Sequence, residues 1–235
     1  MTTGFPITER TRLRRRPARG AYDEATIFGI LDAGVIAHVG YAQGGEPRVT
    51  PTAYWREGRR LYWHGAAASR ALRAQAGGLP VCVTVSHLDG FVLGRSGFAH
   101  SLLYRSVMAF GRTEPVEGRA AKRRAMDAFI ERLYPGRTAE IRPVHDAELD
   151  MIAVIRMTIE EASAKIRDGG VNEKDEDLAS PAWAGVIPVR TTLDAPRSDE
   201  RIDARVPLPA SVAAWTEQAR LDEVLSGAGR VGGAF

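Results

Sequence analysis

The sequence predicts a mainly β protein, a small antiparallel barrel carrying a few peripheral helices. Three features point there. Runs of β-forming residues follow one another closely from Val35 to Gly65, joined by glycine turns at Gly44-Gly45 and Gly58, a spacing that suits a meander rather than βαβ units. Two further β-rich stretches, "PVCVTVSHLDGFVL" and "YRSVMAFGRTEPVE", allow long-range closure into a barrel. Only one stretch, "AAKRRAMDAFIERLY", has strong helical periodicity.

Taken in order, the first 20 or so residues look irregular. Asp23 is a plausible N-cap for "EATIFGILDAG", which puts Ile27, Ile30 and Leu31 on one helical face and ends at Gly34. "VIAHVGYA", "EPRVTPTAYWRE" and "RRLYWHG" are three successive strands. A short helix from Ser69 to Gln75 follows. "LPVCVTVSHLDGFVLG" is one long strand or a hairpin, and Tyr104 to Glu117 is another strand. Pro51 and Pro115 belong at strand edges, ends or bulges. In the long helix, Met126, Phe129, Ile130 and Leu133 line one face before Pro135-Gly136 stops it. "MIAVIRMTIEEASAKIR" reads as a last strong strand. The expected organisation is a basic N-terminal arm over 1–21, a folded domain over 22–190 and an extended, partly disordered tail over 191–235.

Composition excludes several classes. With 235 residues the chain can bury roughly 70% of its unfolded surface. The net charge of +3 is small. The local cluster "RTRLRRRPARG" could be a nucleic-acid arm, but it lacks interleaved aromatics, so a solvated or subunit-bridging arm is expected and nucleic acid is not. No apolar run approaches the roughly 18 residues of a membrane span. The single cysteine, Cys82, fits a reducing cytoplasm and a buried strand position. "GAGRVG" at Gly227–Gly232 matches a dinucleotide pattern but lacks the strand and helix around it. The histidines, His38, His64, His87, His100 and His145, show no metal-ligand spacing, and no metal site is expected.

The stretch "LYWHGAAASRALRAQAGG" holds the strongest chemistry. A strand leaves through a small-residue bend into a helix opened by Ser69 and Arg70. Free N–H groups, a hydroxyl, the Arg70 guanidinium and Arg73 one turn on could hold a phosphate dianion. Alone, the stretch is read more simply as an N-capping serine beside two solvated arginines.

The order of several segments favours the first reading. "GEPRVTPTAYW" followed by "LYWHGAAASRALRA", then "PVCVTVSHLDGFVL", "YRSVMAFGRTEPVE" with its helix, and "EASAKIRDGG…DLASPAWAGVIPV" together resemble the pyridoxamine 5'-phosphate oxidase-like, FMN-binding split-barrel family. The likeness is greatest to the nitroimidazole-resistance branch, and it runs from about residue 8 to 190. The resemblance implies a split β-barrel homodimer with FMN in the interface. Thr50, Pro51, Thr52 and Ala53 would lie along the isoalloxazine. Trp63, His64 and Gly65 would flank the ring and ribityl chain, and Ser69 with Arg70 would grip the phosphate. Arg105 and Ser106 would reach the flavin near the dimer seam, and Lys165 and Trp183 would close over the site. Relatives commonly carry a lysine where this chain has Ala71, a role that Arg73 would take. The loop "DGGVNEKDED" departs from the family pattern, and residues that would grip pyridoxamine phosphate are not recognisable.

The expected function is an FMN-dependent oxidoreductase, using reduced nicotinamide as donor and a small flat or nitro-aromatic acceptor. A flavin does its own two-electron chemistry, so no catalytic triad is needed. The alternatives are a haem-binding or haem-degrading relative with His64 or another histidine as axial ligand, and a non-enzymatic flavin sensor or store.

Overall fold

Six antiparallel strands close into a ring in the computed structural model, which describes residues 3–203 and 205–231. After a two-residue strand β1 (Gly20–Ala21) and helix α1 (Glu24–Asp32), the meander β2 (Ile36–Gln43), β3 (Glu46–Glu57) and β4 (Arg60–Ala66) leads to helix α2 (Arg70–Gln75). Two long strands follow, β5 (Pro80–Leu93) and β6 (Ser101–Pro115), then helices α3 (Arg119–Leu133) and α4 (Asp146–Asp150). Strands β7 (Ile152–Thr158), β8 (Glu161–Arg167) and β9 (Gly185–Pro188) and helix α5 (Leu221–Val231) complete the chain. The ring runs β6–β7–β4–β3–β2–β5 and returns to β6; β8 and β1 extend it beside β6, and β9 lies beside β5.

Local chemistry sets the hairpins. Gly44 and Gly45, at φ 61° and 83°, form the left-handed two-residue turn between β2 and β3 that suits a twisted hairpin. Asp23 caps α1 as expected: its carboxylate accepts from Thr26 N–H at 2.8 Å, and that bond holds its pKa below the usual range. Asp23→Ala is expected to cost about 1 kcal/mol in urea unfolding. A loss within about 0.2 kcal/mol would mean that packing of Ile27, Ile30 and Leu31 alone holds the helix.

The stretch read as one final strand is broken. β7 pairs with β6 at Met157↔Thr113, whereas β8 resumes at Glu161↔Phe110. Between them Ile159 N–H turns to Arg59 O at 2.8 Å and Glu160 N–H to Phe110 O at 2.9 Å, so the two residues redirect the chain from one part of the barrel wall to another. β5 is continuous, with a bulge between Leu88 and Gly90.

The core fills the ring with Val39, Leu61, Trp63, Val83, Val107, Ile155 and Met157, capped by the apolar face of α1. A second cluster, Trp55, Tyr62, Val116, Ala125 and Val154, lies under α3, where Met126 and Phe129 pack against it.

Both ends differ from expectation. The segment read as an arm is docked on β8. Phe5 and Thr11 are buried, Thr8 and Arg10 bond Glu161, and the Arg10 guanidinium lies 4.9 Å from the Phe110 ring centre. The tail expected to be extended and partly disordered carries α5. Leu225 is fully buried, Arg132 donates to Leu225 O at 2.7 Å and to Asp32 O at 2.6 Å, and Trp215 packs on Tyr134 at 5.1 Å. The rejected "GAGRVG" stretch falls partly in this helix, and its last residue, with the rest of 232–235, lies outside the described residues. Among the described residues no helix is long and apolar enough to cross a membrane.

Candidate functional site

The site forms where β4 leaves the barrel. Ser69 N–H donates to Ala66 O at 2.8 Å, closing the alanine bend, and Ser69 Oγ accepts from Leu72 N–H at 3.4 Å as the cap of α2. Gly65 lets the bend pack closely on α2, since a β-carbon there would stand 3.0 Å from Leu72 Cδ1 and that side chain would have to shift. Trp63 turns inward, and its indole N–H donates to Gln75 Oε1 at 2.8 Å, tying the end of α2 to the barrel. Arg73 does not reach outward freely; its guanidinium bonds Ala68 O in the same bend. Arg70, the first residue of α2, is exposed and makes no ion pair among the described residues.

Facing this bend is an unpaired length of β3. Residues 46–53 pair with β2 alone, and β4 joins only from Tyr54. Tyr54 N–H bonds Val35 O at 3.1 Å, so Thr52 and Thr50 turn their backbone groups toward β2 as well, and those of Pro51 and Ala53 point to the open edge. This explains Pro51 in mid-strand: the N–H it lacks would have faced that edge. Thr50, Thr52, Trp63, His64, Gly65 and Ser69 line one pocket of about 120 Å³. Gln75 and Leu72 also line it and were not foreseen. A buried indole demands an acceptor, but nothing local names Gln75 as the one.

His64 has two environments. Its backbone borders the pocket, while its ring packs 5.0 Å from Phe129 and 6.0 Å from Trp55. Its Nδ1 and the Trp55 Nε1 are both buried without partners among the described residues. Burial lowers the His64 pKa, so the imidazole is neutral and keeps a lone pair.

The other predicted residues lie elsewhere in the chain. Arg105 and Ser106 are adjacent on β6 and so face opposite sides. Arg105 is held bidentately by Asp89 at 2.9 and 2.8 Å, with Asp222 at 3.6 Å, and its pKa is raised mainly by the Asp89 bond. Ser106 Oγ donates to Lys165 O at 3.3 Å across the β6–β8 pair. Trp183 is exposed, and its ring lies where a β-carbon on Gly185 would come within 2.7 Å. Ten of the predicted residues thus gather on β3, β4 and α2, and four do not.

A family model for pyridoxamine 5'-phosphate oxidase matches residues 23–166. The flavocytochrome Anf3 from Azotobacter vinelandii is 41% identical, covering 89% of this chain and 98% of its own, with a TM-score of 0.84. The FAD and haem binding protein from Mycobacterium smegmatis is 36% identical, covering 86% of this chain and 99% of its own, with a TM-score of 0.82. A putative 5-nitroimidazole antibiotic resistance protein from Bacteroides thetaiotaomicron shares the fold at 22% identity and a TM-score of 0.51, covering 63% of this chain and 86% of its own. Among curated proteins no relative matches.

Proposed function

The chain belongs to the pyridoxamine 5'-phosphate oxidase family, and from that premise we propose that it is a flavin-binding oxidoreductase working as a homodimer. The observation that carries this reading is the open edge of β3 facing the Ser69 bend across Gly65. The small side chains of the bend let a flat ring approach the backbone, and the β3 edge offers Ala53 N–H and Pro51 and Ala53 carbonyls to its polar rim. Ser69 and Arg70 hold the first phosphate, a group FMN and FAD share. FMN is the flavin the sequence suggests, while FAD is the one bound by the 36% identical relative. Bound flavin supplies two-electron transfer, here from a reduced nicotinamide to a small flat or nitro-aromatic acceptor.

A homodimer would account for three of the four residues outside the pocket, all but Arg105. Leu88, Phe91, Leu102, Met108 and Ile187 are exposed on β5, β6 and β9, an apolar face that a second copy would cover. Ser106 and Lys165 lie on the same side of the sheet as Met108, and from there they would approach the partner's flavin with Trp183. The single cysteine makes a reducing cytoplasm part of this reading.

Acid release of the flavin from purified protein, followed by chromatography, distinguishes FMN from FAD. Arg70→Ala is expected to weaken flavin retention about tenfold to a hundredfold, the loss of one charge-assisted bond, with the melting temperature unchanged. Unaltered retention would remove Ser69 and Arg70 from the site.

A second reading adds haem. It is favoured by the partnerless Nδ1 of His64 in its aromatic shell and by the two relatives that carry haem. The neutral imidazole fits an axial ligand.

A further inference from the structure

The basic cluster near the N-terminus takes no part in the proposed flavin site, yet the fold gives it a definite shape. Arg10 and Arg14 are neutralised by Glu161 and Glu9. Arg12, Arg15, Arg16 and Arg19 make no ion pair among the described residues, and neither does Arg167. The β1–β8 pairing, Gly20↔Lys165 and Ala21↔Ala164, brings Arg167 to the other end of the chain's basic run.

Arg19 and Arg167 line a cleft of about 450 Å³, within the range of roughly 300–1,000 Å³ typical of small-molecule sites. Its apolar part is Ile166 with Ala18 and Ala21. Its far wall is Gly169 and Gly170, where an added β-carbon would meet nothing within 4 Å, so a ligand can approach bare backbone. Asn172 adds an amide, and Asp168 is the one carboxylate among the described lining residues. Partial burial and the charges of Arg19 and Arg16 push the Arg167 pKa below its usual range, a repulsion that an anion would relieve.

We infer that this cleft binds a phosphate-bearing small molecule of nucleotide size, its phosphate between Arg19 and Arg167 and its organic body over Ile166. Two guanidiniums unpaired among the described residues, lining one cleft with bare glycine backbone, supply the chemistry of phosphate recognition. A concave site without aromatic side chains among its described lining residues suits a compact ligand better than a nucleic-acid strand.

The test is calorimetric titration of the full chain with ADP, with inorganic pyrophosphate and with a short DNA duplex, reading flavin content in parallel. ADP is expected to bind, and Arg19→Ala/Arg167→Ala to weaken it at least tenfold without changing flavin content or melting temperature. Arg12→Ala/Arg15→Ala removes equal charge outside the cleft and is expected to change ADP binding less than threefold. Tighter binding of ADP than of pyrophosphate supports the inference; equal or tighter binding of pyrophosphate keeps the phosphate site but overturns the place of the organic body over Ile166. Absence of ADP and pyrophosphate binding overturns the inference. So does equal weakening by the two double variants, which would mean a diffuse field, or DNA binding that outcompetes ADP. The inference does not rest on the flavin reading, and the flavin absorbance separates failure of one from failure of the other.

Discussion

His64→Ala is expected to abolish the Soret band of protein supplied with haem, while the neighbouring blue absorption band of the flavin survives. The expectation follows from the place of His64. Its backbone borders the flavin pocket, and its ring, in a shell of Trp55 and Phe129, holds a buried nitrogen with no partner among the described residues. If His64 holds the haem iron, its removal would take away the iron's anchor to the protein, and haem retention should fall more than a hundredfold. The flavin should stay, because the β3 edge and the Ser69 bend are untouched. His38→Ala, on an exposed β2 position, is the control and should keep both bands. A full Soret band in His64→Ala would move the haem ligand elsewhere and end the second reading.

Gly111→Ala is expected to cost more than about 3 kcal/mol, a large part of the roughly 5–15 kcal/mol that holds a domain folded. Gly111 lies on β6 where the chain passes from pairing with β8 to pairing with β7. A β-carbon there would stand 2.2 Å from Thr158 O and 2.8 Å from Met157 Cγ. The first of these is backbone at the end of β7, beside the Ile159–Glu160 break, and cannot swing aside as a side chain can. Soluble yield and the urea midpoint should both collapse, and flavin retention with them. Gly29→Ala makes the contrast: nothing lies within 4 Å of that position in α1, and the exchange should gain about 0.5–1 kcal/mol from helix propensity. A normal urea midpoint for Gly111→Ala would mean that the β6–β7–β8 junction repacks freely.

Much of the fold is legible in local pattern. The Asp23 cap, the apolar stripe of α1, the glycine hairpin and the long helix α3 depend on residues within a turn or two of each other. The break at Ile159–Glu160 was not legible, because it is made by Arg59 O, a hundred residues away in the chain. The ordered tail was not legible either. Its order comes from placing Leu225 and Trp215 against α1 and α3 and from the reach of Arg132.

The candidate site divides along the same line. By itself the amino-acid order determined the barrel class and the serine cap with its small-residue bend, since capping, small residues and strand alternation are short-range signals; that the bend is a cofactor site faced by residues 50–53 was implied only by the resemblance of the segment order to a known family. Only the tertiary structure decided that Arg105 and Ser106 look to opposite sides, that Arg105 is spent on Asp89, that Gln75 anchors Trp63, and that Arg167 joins Arg19 in a cleft. The reason is that a strand's side-chain direction and an arginine's partner are settled by what packs beside them, and in an antiparallel barrel those neighbours come from distant parts of the chain.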